Sequence, residues 1–310
     1  MLLGAAVLSV LGALGGCAGS GSDSEAQGEQ QMQMDIAHGK TLNIAHRGAR
    51  SLAPENTIAA AAKGLEAGAD LWELDVQLTA DKKLIVLHDD TLSRTSDAET
   101  VYPHRSPWNV ADFTLEEIRK LDFGSWFNEN DPFDQIAAGA VSKADQRAYE
   151  GIHAPTLREA LEWTRTNEWA VNVELKNVEG RAGEEKFPER VAALVQELDM
   201  TEEVLVSTFN HEYLRRVKRE DPRISTGVLT ARGIDDPVEY VRSLNAAAYN
   251  PSADAVAPSH IKEIRAAGVA VYVYTVNEKD ELAHFIDAGV SGLITDFPQR
   301  LAHMLAGSEK

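Results

Sequence analysis

Four short segments of this sequence pair acidic, basic and imidazole side chains in ways that suit chemistry on an anion. Glu73 and Asp75 stand two apart inside LWELDV (71–76), and Glu174 and Lys176 repeat the spacing in NVELK (172–176). On a strand, residues two apart project from one face, so each pair presents its groups together. His46-Arg47 closes the run LNIAH, and His88-Asp89 follows LIVL. Imidazoles exchange protons near neutral pH, and guanidinium and ammonium groups hold anions. Each signal is weak alone, because Glu-x-Asp on a strand is usually a solvated face and a lone histidine is usually structural. Four such groups at the ends of four successive apolar runs are poorly described as surface decoration.

Convergence requires a scaffold that brings strand ends to one place. Short apolar runs at 42–46, 71–76, 84–87, 170–175, 204–208, 225–229, 246–249, 269–275 and 291–295 predict strands. Amphipathic runs at 57–67, 114–121, 156–166, 184–198, 210–220, 236–244, 259–267, 278–287 and 298–306 predict helices. Asn56-Thr57 and Asn277 stand where caps are wanted, and Gly68, Gly268 and Gly289 stand just past helix ends. Strand–helix alternation predicts a parallel sheet, and about eight repeats over ~250 residues match a (β/α)8 barrel. Nine strand candidates are one too many, and residues 78–83 are too few to hold a helix. The expectation is therefore an irregular TIM barrel, with an open doubly wound sheet as the competing arrangement.

Residues 91–153 interrupt the alternation. They hold one good helical run, FTLEEIRKL, together with Trp108, Phe113, Trp126, Phe127 and Phe133. A structureless loop of that length is abnormal, so an insertion subdomain after the third strand is expected. Most of its aromatics should form its own small core, with one or two left to meet a substrate.

Composition narrows the function. The chain has 310 residues, with 30 Lys and Arg against 49 Asp and Glu, a formal net charge of −19. That balance lacks the basic footprint of a nucleic-acid binder, so phosphate could be held only in a local basic pocket. The single cysteine, Cys17, excludes an intramolecular disulfide. It follows an uncharged run (2–16) that is too short to span a bilayer and suits a signal-peptide core, although no basic residue precedes it. LGGC (14–17) resembles a bacterial lipobox, implying a signal peptide over 1–16 and lipidation of Cys17; a secretory signal that merely contains a cysteine is the alternative. Residues 17–39 read as a polar tether, with the globular part over 40–310. The expected location is the bacterial cell envelope, lipid-anchored and facing outside the cytoplasm.

The segments AHRGARSLAPENT, ELDVQLTADKKLIVLHDDTLSRTSD, APTLREAL, NVELK, STFN, VYTVN and GLITDFP together closely resemble the glycerophosphodiester phosphodiesterase family over nearly all of 41–305. The resemblance implies a TIM barrel with an insertion after the third strand. It also implies hydrolysis of glycerophosphodiesters to an alcohol and glycerol 3-phosphate. The family's metal ligands fall on Glu73, Asp75 and Glu174, its acid/base histidines on His46 and His88, and its phosphate contacts on Arg47 and Lys176. Phe209 and Tyr274 fall where the family presents aromatics to glycerol, with Tyr274 replacing the commoner tryptophan. Three carboxylates around an anionic ester would repel it without a cation, and oxygen-only ligands select one hard ion, Ca²⁺ or Mg²⁺. No obligate protein partner is evident. Two other functions fit less well: a lysophospholipase D acting at a membrane, and a non-catalytic binding lipoprotein, which would need no acid/base pair.

Overall fold

The computed structural model describes residues 40–308. The signal-peptide, lipidation and tether assignments lie outside the described residues. Among those described are nine strands: β1 (Leu42–Ala45), β2 (Leu71–Leu78), β3 (Leu84–Val86), β4 (Ala170–Leu175), β5 (Val204–Thr208), β6 (Ser225–Thr230), β7 (Ala248–Pro251), β8 (Ala270–Val273) and β9 (Gly292–Thr295). Eight run parallel in the order β1-β9-β8-β7-β6-β5-β4-β2, and β1 pairs with β2 to close the barrel. The competing open sheet is thereby excluded.

Of the nine strand candidates it is the third, β3, that does not belong to the barrel wall. β3 pairs antiparallel with β2, Leu84 opposite Leu78 and Val86 opposite Val76. Five residues, 79–83, cannot cross back along the barrel, but they can turn a hairpin, so β2 runs on past the rim and β3 returns along it. The Leu87 amide donates to the Asp75 carbonyl at 3.0 Å, which delivers His88 to the mouth.

Two-residue alternation sorts the strand side chains. Leu42, Ile44, Leu71, Leu205, Ala248, Ala270, Tyr272 and Ile294 fill the lower interior. Their outward neighbours Trp72, Leu74, Val76, Val171, Val173 and Leu175 pack beneath the helices Leu157–Thr166 and Phe187–Glu197. Thr57 caps the helix Ile58–Glu66 through the Ala60 amide, and Thr156 forms a capping box with Glu159. The two asparagines offered as caps do other work. Glu278, not Asn277, stands at the N-cap of Lys279–Asp287, and Asn56 faces the site described below.

The insertion forms two small cores rather than one. Leu92, Ala98, Val110, Phe113, Ile118, Leu121 and Phe123 close over Ile85 and Leu87 of the hairpin. Phe127, Val141 and Tyr149 instead pack on Ala53 and Ala60, beside the β1 exit loop. The helical run around 114–121 is confined to Leu115–Ile118, and three further short helices surround it: Ala98–Val101, Ser125–Asn130 and Lys143–Tyr149.

Candidate active site

The mouth is built where inward-facing positions continue past the hydrophobic layers. One step above Leu71 and Ile44, the alternation places Glu73, Asp75, Glu174 and His46 at the C-terminal ends of β2, β4 and β1. Carboxylate oxygens of Glu73, Asp75 and Glu174 lie within 4.8 Å of one another. Glu73 and Asp75 are buried, at 3% and 1% exposure. Arg47 and Lys176 partly compensate this charge. The Arg47 amide donates to Glu73 Oε2 at 2.8 Å, and its guanidinium Nε lies 3.3 Å from Asp75 Oδ2. Lys176 Nζ reaches Glu174 Oε1 at 2.9 Å and Asp75 Oδ1 at 3.2 Å.

The local backbone explains how Arg47 gets there. Arg47 and Gly48 both have positive φ, 54° and 78°, turning the chain sharply off β1. A Cβ on Gly48 would lie 2.4 Å from the Ala60 carbonyl carbon, so only glycine permits that approach to the following helix.

Electrostatics divides the carboxylates. Burial raises the Asp75 carboxyl, but Lys176 and Arg47 outweigh it and hold Asp75 below the usual range. Burial and then the Asp75 charge push Glu73 well up, and the same two causes raise Glu174 against Lys176. Glu73 Oε1 is buried and has no hydrogen-bond partner. Two unsettled carboxylates, an orphaned oxygen and an all-oxygen donor set fit a hard divalent cation, which would lower all three carboxyl groups together.

Each histidine has a carboxylate behind it. His46 Nδ1 lies 2.6 Å from Asp296 Oδ1, leaving Nε2 4.0 Å from Glu73 Oε2. Burial lowers the His46 pKa despite the Asp296 bond. His88 Nδ1 lies 2.7 Å from Asp89 Oδ1. Asp296 is itself fixed by Asn277, whose amide nitrogen donates at 2.8 Å, and its pKa falls to about 2, burial being outweighed by the His46 bond and charge. With both partners ionised, the proton of each neutral imidazole belongs on Nδ1, and both Nε2 atoms are free for a substrate.

A ring of ion pairs joins these two units. Arg94 donates Nε to Asp89 Oδ2 at 2.5 Å and Nη2 to Glu55 Oε1 at 2.7 Å. Glu55 also receives Arg47 Nη1 at 2.7 Å and Arg50 Nη2 at 2.9 Å, and Arg50 Nη1 stands 3.7 Å from Asp296 Oδ1. His88 is thus linked to His46 through Asp89, Arg94, Glu55, Arg50 and Asp296. Asn56 completes the set: its Nδ2 donates to Asp75 Oδ2 at 2.8 Å, and its Oδ1 accepts from the Asp75 amide.

All nine barrel residues singled out by sequence come to this mouth. Phe209, 46% exposed, meets Tyr274 edge-on at 6.2 Å, and the Tyr274 hydroxyl donates to the Thr230 carbonyl. Of the insertion aromatics, Phe113 and Phe127 are core, whereas Trp126 and Phe133 lie against the arginines Arg94 and Arg50. Sequence reasoning did not single out Asp296, Arg50, Arg94 or Glu55 for the site, and offered Asn56 and Asn277 as candidate helix caps. One signal was available: Asp296 follows inward-facing Ile294 by two, as Asp75 follows Glu73. His211 is satisfied by Tyr240 and the Leu229 carbonyl, as a structural histidine should be.

The barrel and its mouth define a (β/α)8 fold with a polar, carboxylate-rich site at the C-terminal ends of its strands. Residues 46–300 match the glycerophosphoryl diester phosphodiesterase family, and the chain belongs to it. It is 36% identical over 266 residues to a glycerophosphodiester phosphodiesterase of Caldanaerobacter subterraneus subsp. tengcongensis, covering 86% of this chain and 98% of the relative. A glycerophosphodiester phosphodiesterase of Bacillus altitudinis is 33% identical, over 84% of this chain and 96% of its own. Among solved structures, an Oleispira antarctica phosphodiesterase in complex with the product sn-glycerol-3-phosphate superposes with a TM-score of 0.71 at 26% identity, covering 87% of this chain and 99% of that one.

Proposed function

We propose that this protein hydrolyses glycerophosphodiesters to an alcohol and sn-glycerol 3-phosphate, using one divalent cation, Ca²⁺ or Mg²⁺, and two proton-transferring histidines. The observation that carries this reading is the meeting of three carboxylates, within 4.8 Å, beside two cations and two carboxylate-backed imidazoles. Glu73, Asp75 and Glu174 would hold the cation, which when bound polarises the phosphoryl oxygens. Arg47 and Lys176 share the negative charge that grows in the transition state. His46 and His88 act through Nε2, one taking the proton of the nucleophile, which is either water or the glycerol hydroxyl whose cyclic diester water then opens, and the other giving one to the leaving alkoxide. Phe209 and Tyr274 wall the glycerol end. The alcohol end projects toward the insertion, which leaves the hairpin next to His88.

The test is product analysis on glycerophosphocholine. The proposal expects choline and glycerol 3-phosphate; phosphocholine and glycerol would contradict it by placing cleavage on the other ester bond.

The proposal extends to location. Cleavage before Cys17 and lipidation of its thiol would tether the barrel to the cell envelope on the outer side of a membrane, a reading supported by the LGGC segment and the uncharged run before it. Mass spectrometry of the native N-terminus should find a lipidated Cys17, and an unmodified terminus elsewhere would overturn the anchor.

A further inference from the structure

A large cleft lies at the end of the barrel away from the mouth. It offers about 1040 Å³ at the N-terminal ends of β6 to β9. Lys218, Arg223, Lys262 and Arg265 line it, and none of its lining residues is acidic. In a chain of formal charge −19 this is an unusual concentration of cations.

Helix ends account for part of it. Lys218 and Arg265 sit in the last turns of His211–Glu220 and Pro258–Ala266, where cations suit the helix dipole. Lys218 Nζ donates to the Pro222 carbonyl, and Arg265 Nη1 to the Gly289 carbonyl. An ammonium has three donors and a guanidinium five, so most of their hydrogen-bonding capacity is unused. Neither has a carboxylate ion pair among the described residues, and Lys262 has no polar partner there at all. Only Arg223 is paired, with Asp221 at 2.8 Å. Burial lowers the Lys218 pKa, and the opposing charge of Asp221, which is itself paired with Arg223, does not offset it.

The cavity also has an address. Thr41 Oγ1 donates to the Val290 carbonyl, and the Leu42 amide donates to the Ser291 carbonyl at 2.9 Å. Gly289 and Ser291 line the cavity. The start of β1, at Thr41 and Leu42, therefore lies beside the cationic cavity, on the face opposite the active-site mouth.

We propose that this cavity binds phosphate-bearing anions and that its occupants are the headgroups of anionic phospholipids, so that the barrel rests on a membrane by its N-terminal face. Seated so, the mouth points away from the bilayer, toward water-soluble diesters. The proposal does not need lipidation of Cys17, because it rests on residues of the barrel.

Full-length protein would be partitioned onto vesicles of phosphatidylcholine alone and of an equimolar mixture with phosphatidylglycerol. The anionic vesicles should bind more protein, and salt should weaken the excess. Each basic residue near such a surface is worth roughly fivefold. Lys262→Gln and Lys218→Gln should each cost about that factor, and Lys262→Glu on the order of 25-fold. Hydrolysis of glycerophosphocholine by Lys262→Glu should match wild type. Arg232→Gln, in the loop beyond β6 at the mouth end, should leave vesicle binding unchanged. Equal binding to both vesicle types, no effect of Lys262→Glu, or an equal loss in Arg232→Gln would overturn the proposal. Saturable binding of inorganic phosphate that Lys262→Glu abolishes, without any vesicle preference, would assign the cavity to a soluble anion and overturn the membrane reading.

Discussion

Asp296 holds the His46 ring from behind, its Oδ1 2.6 Å from Nδ1, although 250 residues separate them in the chain. The two meet because β1 and β9 are neighbours in the closed barrel, Ala45 opposite Thr295. This carboxylate fixes which ring nitrogen carries the proton. Asp296→Asn keeps the shape and can reverse the hydrogen bond, which would place the proton on Nε2 in the neutral ring and disrupt the proton transfer that His46 carries out. We predict a loss in kcat of roughly 10²–10⁴-fold, with little change in KM or melting temperature. Stopped-time assays of the purified variant beside a thermal melt would check it, and near-normal kcat would remove Asp296 from the mechanism.

Arg94 comes from the insertion, yet it ties Asp89, and through it His88, to Glu55. Removing it should loosen His88 without touching the carboxylate triad. Arg94→Ala is predicted to lower kcat by roughly tenfold to a hundredfold while KM changes little; Arg94→Lys should recover only part, because an ammonium cannot span both carboxylates bidentately. A purely structural role would instead lower the melting temperature and leave kcat per folded molecule unchanged.

Glu55 makes acid stability a test of the same network. Burial opposes its ionisation, but Arg94, Arg47 and Arg50 outweigh it and bring its pKa from the ordinary 4.5 down to about 2. A depressed carboxyl contributes stability that is fully present above pH 4.5 and is lost as pH falls toward 2. The shift corresponds to about 3 kcal/mol. Glu55→Gln should therefore melt several degrees lower at neutral pH and lose less stability than wild type between pH 4.5 and 2. Parallel pH–stability curves for the two proteins would contradict this.

Selectivity should divide between barrel and insertion. Phe209→Ala is predicted to raise KM for all glycerophosphodiesters alike. Phe133→Ala and Trp126→Ala should instead change the ratio of choline to ethanolamine substrates, by no more than about tenfold, since apolar pockets discriminate weakly. Comparing kcat/KM for the two substrates across these variants separates the roles; a changed ratio in Phe209→Ala would reverse them.

The sequence was most legible where one period governs both fold and chemistry. Glu73, Asp75 and Glu174 were found because inward positions recur every second residue, and the same period marks the barrel strands. It failed at β3: three apolar residues look alike whether they join the barrel wall or fold back as a hairpin, and only the pairing of Leu84 with Leu78 decides. The ion-pair ring was not legible because its members come from loops with no period. Asn56 and Asn277 misled for a related reason, since an asparagine before a helix carries one signature whether its amide faces a helix end or, as here, Asp75 and Asp296.

The central claim is that the Glu73, Asp75 and Glu174 cluster works through a divalent cation, and metal removal tests it most directly. Glycerophosphocholine turnover would be followed after EDTA treatment and dialysis, then on adding back Ca²⁺ or Mg²⁺, with circular dichroism on the same samples. We predict that chelation abolishes turnover, that one of the two ions restores it, and that the spectrum stays that of the folded barrel throughout. Full activity in verified metal-free protein would contradict the account.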